Sequence, residues 1–217
     1  MANTTNKAVA GIDLAQLFGA AAQALIANQG SLNSADAGNG NHGDNMVQMF
    51  QLITDAIGAT KGKTPAQQLS YASKMLTQNA TSGSSRVYAQ GLSQAAEQFQ
   101  GQKKVTPEAA MTLVQTLLGG GQAPTSPSNS GMDMLGQLLG GMQSNPNSSK
   151  NDGLDLGDVL SAGMAFMQAK QSGQDNMQAA VSALLSGSPL SQQPHRAQSG
   201  EVVANALLQA ISAFSQK

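Results

Sequence analysis

The residues 36–46 read DAGNGNHGDNM and hold two aspartates, three glycines, three asparagines and a histidine. Carboxylate and amide oxygens are ligands for a hard cation. Glycines let an anion approach backbone N–H groups at a helix start. A second glycine-centred stretch, TSGSSRVYAQG at residues 81–91, also stands directly before a helical pattern. Two such loops make a natural phosphate site, although glycine-rich helix connectors with no ligand are common.

Helices must position both loops. Apolar residues recur at helical spacing throughout, and no segment alternates with period two. Leu14, Leu17, Phe18, Ala21, Leu25 and Ile26 form a first stripe, and Met46, Met49, Phe50, Ile53 and Ile57 a second. Thr64-Pro65-Ala66-Gln67 predicts a third helix with a capping box and proline at its first position. A fourth carries Val87, Gly91, Ala95 and Phe99 inward, and Thr106-Pro107-Glu108 opens a fifth. Residues 119–153 are then rich in Gly, Ser, Asn and Pro, the composition of a flexible insert. Within it Met134, Leu135, Leu138, Leu139 and Met142 are spaced as a short amphipathic helix, able to dock on the body or on a partner protein. Further helices are expected at 154–170, 175–187 and from about Ser199 to Phe214. The expected fold is therefore all-α: an antiparallel eight-helix, barrel-like bundle in which residues 1–119 and 153–217 form one domain around the insert 120–152.

Composition excludes several functions. The 217 residues contain no cysteine, so disulfides, thiolate metal sites and cysteine nucleophiles are absent. Net charge is −1, with two tyrosines, five phenylalanines and no tryptophan, which leaves neither a basic patch nor a stacking platform for nucleic acid. Polar residues Asp13, Gln16 and Gln23 interrupt the N-terminal apolar run, and no membrane span is long enough, so a soluble, cytoplasmic protein is expected. Two histidines and no pocket-forming pair of acids give no catalytic triad, and no catalytic residue is assigned.

The two loops together resemble the nucleotide-binding L subunit of dihydroxyacetone kinase, the DhaL family. GNGNHGDNM keeps the glycines of that family's first loop, with His42, Asn45 and Met46 in register. SGSSRVY keeps Gly83, Ser84, Ser85 and Tyr88 of its second. The resemblance is best over residues 10–120 and faint over 153–215, where the family's G-R-A-S-Y signature is missing. It implies a helical barrel with ADP or ATP and magnesium at one end, and a separate K-type subunit holding dihydroxyacetone. The implied nucleotide-binding residues are Gly38, Gly40, His42, Gly43, Asn45, Gly83, Ser84 and Ser85. Of the three aspartates that hold magnesium in that family, Asp36 is displaced by a deletion and the others are Asn39 and Asn41. Two neutral amides forfeit two formal charges, so magnesium is expected to bind weakly unless Asp44 supplies a second carboxylate. Arg86 also stands where the family has glycine.

The expected function is thus a divergent DhaL-like domain impaired in phosphoryl transfer, a pseudoenzyme. The alternatives are an active glycerone kinase subunit and a helical interaction or regulatory protein. His42 either faces a ligand or caps its helix, and Ser84 and Ser85 are read first as N-caps. His195 and Arg196 are read first as a solvated turn, with an anion site at the last helix as the alternative. The eleven methionines are core filler rather than copper ligands, and Asp152, Asp155 and Asp158 complement a helix dipole.

Overall fold

The computed structural model describes residues 11–79, 82–119, 185, 188, 190 and 193–215. Its regular elements are six helices, with no strand among the described residues: α1 Leu14–Ala35, α2 His42–Ala59, α3 Pro65–Gln78, α4 Gly83–Gln98, α5 Pro107–Leu118 and α6 Pro194–Ser215. The insert 120–152 and the helices expected at 154–170 and 175–187 lie outside the described residues, apart from Leu185. The count of eight is therefore not met or contradicted by these six.

Local chemistry sets the helix starts. Asp13 accepts hydrogen bonds from the backbone N–H groups of Ala15 and Gln16 at 2.8 and 3.2 Å, capping α1. Thr64 and Gln67 form the expected reciprocal capping box at α3. Thr106 accepts from the Ala109 N–H at 3.2 Å and opens α5 ahead of Pro107. At α4 the cap is Ser82, which accepts from the Ser85 N–H at 3.1 Å; Ser84 and Ser85 are buried in the first turn and do not cap. The last helix begins at Pro194, five residues before the start inferred from its apolar stripe. His195 and Arg196 consequently lie in a helical first turn and not in a solvated turn.

Each helix packs on its neighbours in sequence, and α6 packs on both α1 and α5. The six described helices thereby close a ring around a shared core. Short connections make α1 to α5 successively antiparallel, so α2 and α4 start at one end, and contacts of Ser199 with His42 and of Arg196 with Gly83 place the start of α6 there too. The stripes of α1 and α2 are buried as expected, except for Ile26, which is 48% exposed. It sits one residue beyond the inward Leu25, about 100° further around the helix. Phe18, Phe50 and Tyr88 form an aromatic row, with the Phe50 and Tyr88 rings edge to face at 5.1 Å. Gly91 brings α4 close to α5: a Cβ there would fall 3.0 Å from Leu117 Cα and 3.1 Å from the Thr116 carbonyl oxygen.

The Tyr88 hydroxyl is buried without a hydrogen-bond partner. An unsatisfied buried hydroxyl costs stability, whereas its removal leaves the ring packing intact. Tyr88→Phe is therefore expected to unfold in urea at an equal or higher midpoint than the parent. Gly91→Ala is expected to lose roughly 1–3 kcal/mol through overpacking. A Tyr88→Phe variant less stable than the parent would show that the hydroxyl has a partner.

Candidate functional site

The first turn of α6 joins the starts of α2 and α4. His42, the first residue of α2, places Nε2 2.9 Å from the Ser199 hydroxyl of α6, and both side chains are buried. The Ser199 hydroxyl donates to the Arg196 carbonyl at 3.0 Å, so in that arrangement His42 Nε2–H donates to Ser199. The His195 ring stands edge-on to His42 with centroids 4.6 Å apart. Arg196 reaches across to α4, where a Cβ built on Gly83 would lie 2.7 Å from Nη2 and 3.2 Å from Cζ. Glycine at 83 is what lets a guanidinium rest on the helix start. Arg86, by contrast, is exposed.

The 36–41 loop ends α1 and folds over this junction. Asp36 turns back to accept from the Gly38 N–H at 3.0 Å. Gly40 has φ of 66°, the left-handed region that favours glycine. Asn41 stands at the N-cap of α2 but makes no side-chain cap, because its carbonyl accepts from the Asn45 amide at 2.8 Å. Gly43 lies against α1: a Cβ there would fall 2.8 Å from Asn33 Oδ1 and closer still to the Gln29 carbonyl. Asp44 is held by α1, its carboxylate accepting from the Gln29 amide at 2.6 Å and the Asn33 amide at 2.9 Å.

His42, Gly83 and Ser85 are thus brought to one junction, with His195, Arg196 and Ser199 added from α6. Asp36 lies within electrostatic reach of both histidines. Gly43 and Asn45 have hydrogen-bonding or packing partners within the loop and α1. Asp44 faces Gln29 and Asn33, two residues that sequence reasoning did not connect to it. Among the described residues no three His, Cys, Asp or Glu side chains are grouped to hold a metal. A cleft of about 630 Å3 at the opposite end, ringed by Lys61, Lys63, Lys103 and Lys104, includes none of these loop residues.

Electrostatics follow from the packing. Burial first, then the nearby His195 and Arg196 charges, push the His42 imidazole down from 6.5 to about 4, although Asp36 opposes them. Amide donors Asn33 and then Gln29 hold Asp44 below its ordinary value, and the Gly38 N–H, aided by His195, does the same for Asp36.

Residues 36–127 match the family model of the DAK2 domain. No curated protein and no solved structure matches the chain. No helix among the described residues is long and apolar enough to cross a membrane.

The His42 value has a measurable consequence. Between 6.5 and about 4 the unfolded chain binds a proton that the folded chain refuses. Stability is therefore full above 6.5 and falls as pH drops through that window, by up to about 3 kcal/mol. Urea midpoints measured from pH 4 to 7 are expected to be flatter for His42→Gln. An unchanged slope in that variant would place the titration elsewhere. From Asp36 past the end of α5, residues 36–127 are similar to the DAK2 domain, the DhaL-type domain of dihydroxyacetone kinase.

Proposed function

We propose that this chain is a divergent DhaL-type domain that holds the phosphates of ADP or ATP at the α2–α4–α6 junction and is impaired in phosphoryl transfer. The single observation that carries the reading is the pairing of two glycine-centred helix starts across the first turn of α6, inside a stretch matching the DAK2 domain. Gly38, Gly40, His42 and Gly43 of one loop, and Gly83, Ser84 and Ser85 of the other, would supply the backbone and hydroxyl donors. Asn45 braces Asn41 beneath the first loop.

The donor set does not fit magnesium. Asn39 and Asn41 are neutral, Asp44 is turned to two amides of α1, and Asp36 closes its own turn on Gly38. A small divalent cation requires near-octahedral oxygen ligands with formal charge, and one carboxylate leaves that charge short. Phosphoryl transfer rests on neutralising charge as it develops. Loss of the magnesium ligands therefore supports a pseudoenzyme, with a K-type dihydroxyacetone-binding subunit as the partner its family suggests.

Calorimetric titration of ADP, first with magnesium and then with chelator, tests this directly. ADP is expected to bind in both, with Kd changed by less than about threefold, since a single weak carboxylate contributes little metal affinity. Dihydroxyacetone phosphorylation with a K-type subunit is expected to be at background. Magnesium-dependent binding with turnover would establish an active kinase subunit instead.

A further inference from the structure

At the end of the ring opposite the α2–α4–α6 junction, the cleft of about 630 Å3 gathers charge that the sequence leaves scattered. Four of the chain's 11 lysine and arginine residues line it: Lys61 and Lys63 from the α2–α3 loop, Lys103 and Lys104 from the α4–α5 loop. All four are exposed, and among the described residues none makes a side-chain hydrogen bond or ion pair. Asp13 is the one carboxylate among the residues lining the cleft, and it is already engaged by the Ala15 and Gln16 N–H groups as the α1 cap. Backbone shape brings the lysines there. Gly62, between Lys61 and Lys63, has φ of 88°, and Gly101, two residues before Lys103, has φ of 77°; both loops turn through the left-handed region that favours glycine. The stem of Lys104 lies over Gly11, where an added Cβ would fall 3.0 Å from the lysine Cβ and 3.3 Å from its Cγ. The Ile12 N–H donates to the Val105 carbonyl at 2.8 Å and fastens the α4–α5 loop beside the start of α1.

Helix dipoles do not account for this gathering. Lys61 and Lys63 follow the C-terminus of α2, where a cation is favourable, but Lys103 and Lys104 precede the N-terminus of α5, where it is not. Like charges held around one cleft repel, and an anion between them relieves that cost. We propose that the cleft binds a small polyphosphate group, free or carried as a headgroup, between the two lysine loops. Its volume falls within the range of small-ligand pockets, about 300–1,000 Å3. Lysine ammoniums are compact point charges that meet phosphate oxygens from any side, and no arginine fork lines the cleft to select a planar carboxylate. Ile12, Leu14, Ile57 and Val105, which also line it, are at most 5% exposed and offer no apolar anchor for a peptide. This site is independent of the DhaL-type reading, since no residue of the two glycine loops lines it.

The probe is inorganic tripolyphosphate, titrated calorimetrically into the full chain. Phosphatidylcholine vesicles with and without phosphatidylinositol bisphosphate form a second arm. Tripolyphosphate is expected to bind, and more weakly as salt rises, because exposed charges are screened. Lys61→Gln with Lys63→Gln, and Lys103→Gln with Lys104→Gln, are each expected to weaken it at least about tenfold, since each pair supplies half of the lysine charge of the cleft. Arg196→Gln, at the other end of the ring, is expected to leave the affinity unchanged within about twofold. Thermal unfolding of each variant separates lost binding from lost fold. Vesicle binding that needs the phosphoinositide and is lost in the same lysine variants would identify a headgroup as the source, and tripolyphosphate binding alone a free polyphosphate. Tighter binding of a hexaglutamate peptide through the same lysines would overturn the phosphate assignment and establish an acidic protein segment as the occupant. Binding undiminished in both folded lysine variants, or no binding of either phosphate probe, would overturn the site and leave the DhaL-type reading untouched.

Discussion

The hydrogen bond between His42 and Ser199 joins side chains 157 residues apart in sequence, and the geometry of the site depends on it. It fastens the first turn of α6 to the first turn of α2 in a buried setting, where an unmade polar contact is costly. With α6 fixed there, Arg196 is one turn away from Ser199 and falls on Gly83 of α4. Ring closure and site assembly are thus the same event. The last helix packs on α1 and α5 along its length and brings the only arginine of the junction with it at its start.

Charge at this junction is distributed unevenly among the three helix starts. The carboxylates are occupied: Asp44 stabilises the α1–α2 contact through Gln29 and Asn33, and Asp36 shapes its own turn. What faces outward from the helix starts is cationic or neutral. His42 stays uncharged at neutral pH because it is buried beside His195 and Arg196, so its task is to orient Ser199 rather than to add charge. The Arg196 guanidinium brings positive charge to the start of α4, and it is more weakly hydrated than an ammonium would be.

Much of this was legible in the sequence. Helical spacing located five helices, and the Thr-x-x-Gln and Thr-Pro-Glu signals at Thr64 and Thr106 fixed two of their starts. The two glycine loops lead into the starts of α2 and α4, at one end of the ring. The rule that proline favours the first helical position was applied at Pro65 and Pro107, and applies equally at Pro194; overlooking it displaced the last helix start and hid His195 and Arg196 in a presumed turn. Other features depend on contacts between distant segments. Nothing local shows that Gly43 and Gly91 are glycine to admit another helix, that Asp44 serves α1, or that Ser199 meets His42. Ile26 was misplaced because apolarity alone does not say where a stripe ends.

A crystal structure of the full chain grown with pyrophosphate and magnesium together would test the central claim most directly. The expected density is a diphosphate at the α2–α4–α6 junction, with no metal bridging it to Asp36. A magnesium ion coordinated by Asp36 and the diphosphate would contradict it.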